Sequence, residues 1–267
     1  MATRNLTDKT QFPRQGNNED LFQRLSEYIS FFDKSWVNRI KPASQESIER
    51  LKQVSEFDKW NKEFPKEYHI FLEHMGNDDG GLLSETLMGK TAIEKIIEVC
   101  EDEKEVDLDP FNSPYFLFFN DYLARELSFD LNKDTKYSIV NQSLKVEAET
   151  FEKLLFQCAF RRFELYNNWV FAFQNQNERN PNLFCAIDGI TKKYNMQKAW
   201  FSDEQNYIAL GENYGFCIIN IDAKESITGS VTGNNQEIVN ELCNTFSTEL
   251  NFKLNYKDKP NYYRSYV

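Results

Sequence analysis

The sequence predicts an α+β protein built from two consecutive units. Three observations lead to this fold class. Apolar residues recur at helical spacing over the first hundred residues, strand-like segments follow between residues 115 and 141, and four further strand-like runs lie between two helical patterns in the last third. The two periodicities can be told apart because a helix repeats every 3.6 residues and a strand every two. A meander flanked by helices is typical of α+β units.

The composition is that of a folded protein with a large aromatic core. Hydrophobic residues make up 40% of the 267 residues and aromatic residues 15%. Residues 1–16 carry charges but no apolar run, and no segment approaches the ~20 apolar residues that span a bilayer. The five cysteines are widely spaced without a C-x-x-C pair, which indicates reduced core thiols. We therefore expect a cytoplasmic protein with no membrane segment.

The first third of the chain contains three predicted helices. The first carries an apolar stripe from Leu21 to Phe32. Ser44 can cap the second, because a serine hydroxyl accepts a hydrogen bond from a free N–H of the first turn. Pro65 suits the first turn of the third helix, and Gly76 is expected to end it in a left-handed conformation. The third helix has a stripe at i, i+3, i+4 and i+7, formed by Tyr68, Phe71, Leu72 and Met75.

The middle of the chain mixes strand and helix patterns. Leu82–Met88 is predicted to be a short strand, and Thr91-x-x-Glu94 has the spacing of a capping box that opens a helix. Another helix begins near Thr150, and the pattern leaves open whether it continues or whether Trp169–Phe173 is a strand. The other predicted strands are Tyr115–Leu123, Glu126–Leu131 and Tyr137–Asn141.

The last third predicts a helix, a four-strand meander and a second helix. The first helix covers Leu183–Tyr194, and the second is capped by Asn234 with Glu237. The four strand-like runs are Lys198–Ser202, Tyr207–Leu210, Phe216–Ile221 and Ser226–Val231. We therefore divide the chain into an N-terminal extension with a helix (1–40), a first domain (41–165) and a C-terminal α+β unit (166–267).

Several motifs in the first domain belong together. They are Lys41-Pro42-Ala43-Ser44, Ile48-Glu49-Arg50-Leu51, Phe64-Pro65-Lys66-Glu67-Tyr68 with Phe71-Leu72, Gly80-Gly81, and Phe151-Glu152-Lys153-Leu154-Leu155. This set resembles the signature of the SUKH superfamily, the Smi/Knr-type proteins, over roughly residues 42–160. The chain departs from the usual pattern at Phe64, where leucine is commoner, and in its longer glycine loop.

The resemblance implies a fold and a role. The fold is a twisted, mostly antiparallel sheet flanked by helices, which the smaller C-terminal α+β unit follows. Most bacterial members of the superfamily are immunity proteins that bind and neutralise a toxin, and fungal members are regulatory scaffolds. Neither role needs a catalytic residue, a metal or a cofactor. The resemblance therefore implies a non-enzymatic protein that binds another protein in a stoichiometric complex.

The charge is concentrated in the first part of the chain. Of the net charge of −11, residues 1–160 carry −10 and residues 161–267 carry −1. Such a field repels nucleic acid and favours a basic protein, for which a toxin such as a nuclease is the leading case. The candidate partner-binding residues are Asp78, Asp79, Glu98, Glu101, Asp102, Glu103, Glu105, Asp107 and Asp109. The alternative is that these acids form only a polar turn and a solvated helix end.

Two other functions stay open at this point. One is a regulatory scaffold that has no toxin partner. The other is a small-ligand binder or enzyme with its site in residues 166–267, which no motif identifies. The two histidines, His69 and His74, are five residues apart and so project from different faces of one helix, which disfavours a metal pair.

Overall fold

The protein is described from a computed structural model. The structure describes residues 13–55, 57, 61–105, 114–121, 126–132, 136–165, 169–174, 183–219, 228–250 and 253–258. The chain divides into two compact units. The first unit contains residues 16–26 and 33–158, and the second contains residues 1–15, 27–32 and 159–267. We predict the boundary at residue 165, whereas the structure divides the chain between residues 158 and 159 and also assigns residues 27–32 of the predicted N-terminal extension to the second unit.

The predicted α+β class is confirmed, because each unit combines helices with an antiparallel sheet. The helices are α1 (Leu21–Phe32), α2 (Gln45–Ser55), α3 (Lys66–Met75), α4 (Ser84–Leu87), α5 (Ile93–Glu105), α6 (Phe151–Ala159), α7 (Leu183–Lys193) and α8 (Gln236–Leu250). None of the helices in the described ranges is long and apolar enough to span a bilayer.

The sheet of the first unit is a simple antiparallel meander in the order β1-β2-β3-β4. Its strands are β1 (Tyr115–Asn120), β2 (Glu126–Asp130), β3 (Ser138–Asn141) and β4 (Val146–Ala148). The first three match the predicted strands. Strand β4 has only three residues, too few for an alternating pattern from which it could be predicted. In the register, Phe116 lies opposite Phe129, which brings two large rings to one position of the sheet.

Tyr68 of α3 is at the centre of the first unit's core. Its ring centroid lies 5.4–5.9 Å from those of five phenylalanines, which are Phe71, Phe116, Phe118, Phe129 and Phe151. All six rings are at most 1% exposed. Burying one such side chain contributes roughly 1.5–3 kcal/mol, so this cluster is a major source of the unit's stability.

The sheet of the second unit has six antiparallel strands in the order β10-β5-β9-β8-β7-β6. They are β5 (Trp169–Gln174), β6 (Gln197–Lys198), β7 (Asn206–Leu210), β8 (Tyr214–Ile219), β9 (Thr228–Gly233) and β10 (Lys253–Asp258). Strands β7, β8 and β9 match three strands of the predicted meander, whereas of the predicted strand Lys198–Ser202 only Lys198 belongs to a strand, the two-residue β6. The strand alternative for Trp169–Phe173 is also confirmed, and β10 is an additional strand that pairs with it.

Helices α7 and α8 complete the core of the second unit. Helix α8 contacts β5 and β9, and its Phe246 stacks on Phe216 of β8 with ring centroids 3.9 Å apart. Four of the five cysteines are buried, while Cys185 is exposed. Burial raises the pKa of the Cys217 thiol to about 12, so this thiol stays protonated and unreactive at neutral pH.

Two predicted features of the first unit are wrong. The segment predicted as the strand Leu82–Met88 contains the short helix α4 instead, which Met88 ends in a left-handed conformation with φ of 59°. Gly76 is not left-handed, since its φ is −68°. Glycine fits there for a different reason. A Cβ would lie 2.7 Å from the carbonyl oxygen of Leu72 and 2.8 Å from the Cβ of Ala43.

Candidate partner-binding surface

Helix α5 has one buried face and one acidic face. The buried face carries Ile93, Ile96, Ile97 and Cys100, each at most 1% exposed. Helix α2 and strand β1 pack against the helix. The remaining positions are dominated by charge, since the helix contains six carboxylates and two lysines. The acids whose side chains are described are exposed, apart from Glu101, which is partly buried. We call Glu94, Glu98, Glu101 and Asp102 the α5 acidic face.

Arg50 of α2 is the main cation beside this face. Its Nη2 donates to both carboxylate oxygens of Glu101, at 2.8 and 2.7 Å, and its Nη1 lies 3.9 Å from Glu94. The hydrogen bond from Arg50 to Glu101 is the largest effect that raises the pKa of the guanidinium, and the charges of Glu94 and Glu46 raise it further. One arginine therefore lies among three carboxylates.

Glu98 has its own partner on the same helix. Lys95 donates to its carboxylate at 2.5 Å, and this hydrogen bond lowers the pKa of Glu98 below its usual value. Both side chains are more than half exposed. Exposed pairs of this kind hold their partners weakly, because water screens the attraction. The neighbouring cations therefore reduce the negative potential of the α5 acidic face without cancelling it.

The position of these acids along α5 opposes helix stability. Glu101, Asp102, Glu103 and Glu105 all lie in the last five residues of the helix. The carbonyl end of a helix is negative, so carboxylates there are unfavourable. Folding alone would favour lysine or arginine at these positions. An acidic cluster that does not stabilise its own helix is consistent with a role in binding.

The structure separates the two neighbouring aspartates of the glycine loop. Asp78 is half-exposed, with its carboxylate 3.9 Å from Lys41, and stays a candidate surface residue. Asp79 is 1% exposed, so our prediction that it contacts a partner is wrong. Its carboxylate is a buried hub for the loop. It accepts five hydrogen bonds of 2.5–3.1 Å from the backbone N–H groups of Gly81, Leu83 and Ser84 and from the hydroxyls of Ser84 and Thr91.

The proposed capping box is used differently as well. The Thr91 hydroxyl, whose oxygen would accept from a backbone N–H of α5 in a capping box, donates to the Asp79 carboxylate at 3.1 Å. Glu94 instead accepts from the Ser47 hydroxyl of α2 at 2.5 Å. This bond and the Arg50 pairs join the exposed sides of α2 and α5. The predicted cap of α2 is confirmed, because Ser47 N donates to Ser44 Oγ at 3.0 Å.

The remaining candidate acids are placed only in part. Glu103 and Glu105 belong to α5, but their side chains lie outside the described residues, as do Asp107 and Asp109 altogether. Sequence reasoning missed Glu94 and Glu46 as acidic neighbours of Arg50 beside the acidic stretch. The signal was present, since Glu46 and Arg50 are four residues apart on α2. What the sequence could not show was that α2 packs beside α5.

Other kinds of site have less support in the described part of the chain. No group of three or more His, Cys, Asp or Glu side chains there is placed to hold a metal ion. His69 lies 3.4 Å from Glu73, and His74 stacks on Phe22. The second unit contains a small cavity that Glu164 lines.

Compared with models of known protein families, with curated proteins and with solved structures, the chain has no match. The SUKH resemblance therefore stays a prediction, and the α+β class is what the structure itself establishes.

Proposed function

We propose that this protein works by stoichiometric binding of a basic protein, with the α5 acidic face as the docking surface. The observation that carries the proposal is the acidic C-terminal end of α5, where Asp102 is exposed and Glu101 partly exposed, and where carboxylates oppose the helix dipole. The finer proposal is that the partner is a toxin and that binding neutralises it. The resemblance to SUKH immunity proteins supports this, and no catalytic step is assigned to the chain.

Electrostatics favours a protein partner of this kind. Opposite charge on two surfaces steers their encounter and raises the association rate, and the effect falls as salt is added. Nucleic acid is disfavoured because the chain carries a net charge of −11. A tight inhibitor needs roughly 1,600 Å² of total buried area, so the α5 acidic face would form only one edge of the interface.

The test is inhibition of a toxin encoded beside the gene for this protein. The two proteins are mixed in increasing ratio, and the toxin's activity is measured. Neutralisation predicts that activity falls linearly and is lost at equimolar protein. Full toxin activity in an excess of this protein, with no complex on size-exclusion chromatography, would overturn the immunity role. A complex that leaves the toxin active would favour the scaffold alternative.

A charge variant tests the docking surface separately. E98Q/E101Q/D102N removes three charges from the α5 acidic face but leaves Glu94, which bonds to Ser47. E237Q/E241Q/E249Q removes three charges from exposed positions of α8 and is the matched control. We expect only the α5 variant to slow association with the toxin. Equal slowing in both variants would mean that total charge, not this surface, controls the encounter.

A further inference from the structure

One of the described methionines lies on the surface. The chain has four methionines, of which Met1 lies outside the described residues. Met75 of α3 is 2% exposed and Met196 is 7% exposed, whereas Met88 is 76% exposed. Methionine is a flexible apolar residue that usually fills gaps in a core. Packing therefore does not explain the methionine at position 88.

The backbone conformation at Met88 does not favour methionine either. Met88 ends the short helix α4 in the left-handed region, with a φ of 59°. Glycine or asparagine is the usual residue at such a helix end, because most residues with a Cβ are strained there. Neither burial nor local conformation therefore accounts for this side chain. What the position does provide is contact between a thioether sulfur and solvent.

The backbone around Met88 is held on both sides by main-chain hydrogen bonds. The N–H groups of Met88 and Gly89 both donate to the carbonyl oxygen of Ser84, the second at 2.9 Å. The N–H of Lys90 donates to the carbonyl oxygen of Asn120 at 2.7 Å, which joins the segment to the end of β1. None of these bonds uses the Met88 side chain. A chemical change at its sulfur would therefore leave the turn in place.

The chemistry open to an exposed thioether is oxidation by a peroxide. The sulfur attacks one oxygen of hydrogen peroxide, and the O–O bond breaks as the S–O bond forms. The leaving hydroxide takes up the proton of the transferred oxygen and becomes water. Sulfur loses two electrons in this step, and the peroxide gains them. The product is methionine sulfoxide, a polar side chain that disrupts a core when it forms there.

We propose that Met88 is a site of reversible oxidation to the sulfoxide in the folded protein. Hydrogen peroxide is the oxidant, and a sulfoxide reductase with a dithiol restores the thioether. In the reverse step the sulfoxide oxygen leaves as water while the two thiols form a disulfide. Met75 and Met196 stay reduced because the fold covers them. The proposal concerns the turn after α4 and does not depend on the α5 acidic face.

The test is peptide mapping by mass spectrometry of the full-length protein after increasing times in hydrogen peroxide. N-acetylmethionine amide in the same solution gives the rate for a fully exposed thioether. We expect Met88 to react within about threefold of this rate, and Met75 and Met196 at least about tenfold more slowly than Met88, because a buried thioether reacts only when the fold opens. Comparable rates at the three positions would overturn the proposal.

Reversal is measured on the oxidised, folded protein. Two sulfoxide reductases are added with dithiothreitol, one for each stereoisomer of the sulfoxide, and the peptides are mapped again. We expect the Met88 peptide to lose the added oxygen without denaturant. A Met88 sulfoxide that both enzymes leave unchanged until the protein is unfolded would contradict a reversible site.

Two variants test whether the folded protein tolerates the modification. M88Q and M75Q each replace the thioether by a polar amide of similar length, which imitates the sulfoxide. We expect M88Q to keep the urea midpoint of the wild type. M75Q should unfold at a lower urea concentration, because it places an amide in the core. A midpoint that falls equally in both variants would contradict a tolerated modification at Met88.

Discussion

Asp79 and the α5 acidic face belong to the same unit and carry the same kind of charge, but the fold uses them in opposite ways. Asp79 is buried and accepts five hydrogen bonds within its own loop and from Thr91. The four acids of the α5 acidic face are exposed or partly exposed, and Glu98 and Glu101 are held by screened ion pairs. A buried acid surrounded by donors stabilises the fold, whereas an exposed acid at the wrong end of a helix is free to serve association.

The difference teaches that the number of hydrogen-bond donors, not the density of acids, separates the two roles. The loop contains only two acids, Asp78 and Asp79, and its buried member has the dense network. Helix α5 contains six acids, and the hydrogen bonds of those that are described come from exposed side chains rather than from buried backbone donors. The predictions below therefore contrast stability, which should depend on the loop, with association, which should depend on α5.

The largest expected effect on the free energy of unfolding is that of a substitution at Asp79. D79N keeps the shape but removes the charge and turns an N–H₂ group toward groups that are themselves donors. We expect the free energy of unfolding to fall by about 3 kcal/mol, since buried donors lose their acceptor. Urea denaturation of D79N and of the wild type measures this difference in the free energy of unfolding. D78N is the control at the exposed neighbour, and a change of less than about 0.5 kcal/mol is expected there. Similar values for the two variants would remove the contrast.

Gly80 should be the next most sensitive position. Its φ of +62° suits glycine, and a Cβ would lie 2.6 Å from the Trp36 indole nitrogen. That nitrogen donates to the Asp79 carbonyl oxygen, so the change would disturb the same loop. We expect G80A to lower the free energy of unfolding by about 1–3 kcal/mol.

Gly189 offers a control of the opposite sign. It lies within α7, and apart from its own helix backbone and chain neighbours no atom of the described residues lies within 4 Å of the place a Cβ would take. G189A should raise the free energy of unfolding by about 0.5–1 kcal/mol, because alanine favours helix more than glycine does. If G80A were also neutral or stabilising, the positive φ of Gly80 and its close approach to Trp36 would not constrain this position as we expect.

Asp33 is an intermediate case, a partly buried acid that is held by neighbours. Burial alone would raise its pKa, but hydrogen bonds from Arg39 and Ser35 outweigh burial and lower the pKa to about 2. A lowered pKa means that the carboxylate stabilises the fold above its unfolded value of 3.8 and loses this contribution as pH falls toward 2. D33N should therefore be less stable than the wild type at pH 6, by less than about 1 kcal/mol, and the difference should shrink as pH falls through about 2 and vanish below it. A difference that persists unchanged at pH 2 would contradict this origin.

The smallest expected effect on stability is at Asp102, and its sign is informative. D102N removes a negative charge close to the C-terminal end of α5, where the dipole opposes it. We expect the thermal midpoint to rise by about 1 °C at low salt, with the gain disappearing as salt is added. A fall in the midpoint would show that Asp102 stabilises the helix and would weaken the case for a binding role.

Much of the fold could be predicted from the sequence because local rules decide it. The stripes of α1, α3 and α5, the Ser44 cap and the C-terminal meander all follow from spacing and turn chemistry. The strand β10 and the short β4 could not be predicted, because pairing with distant strands, not a local pattern, defines them. The strand prediction for Leu82–Met88 is wrong because the segment has two apolar pairs separated by Ser84-Glu85-Thr86, and this pattern suits a short turn of helix equally well.

The candidate site was harder to predict than the fold. The sequence shows that α5 is acidic, but burial of Asp79 depends on the donors that the loop brings around it. The neighbourhood of Arg50 depends on the packing of α2 against α5, which no spacing shows. The cavity beside Glu164 depends on residues from four separate parts of the chain and on a π-helical turn, so no motif could have shown it.

The most direct test of the central claim is binding of a labelled deca-lysine peptide to three forms of the protein: the wild type, E98Q/E101Q/D102N and the α8 control E237Q/E241Q/E249Q. Fluorescence anisotropy at 20 and 200 mM salt measures the affinity. We predict that the α5 variant binds about tenfold more weakly at low salt and shows a smaller loss of affinity with salt, while the control stays close to the wild type. Equal weakening in both triple variants, or wild-type affinity in the α5 variant, would contradict the claim that this face is the docking surface.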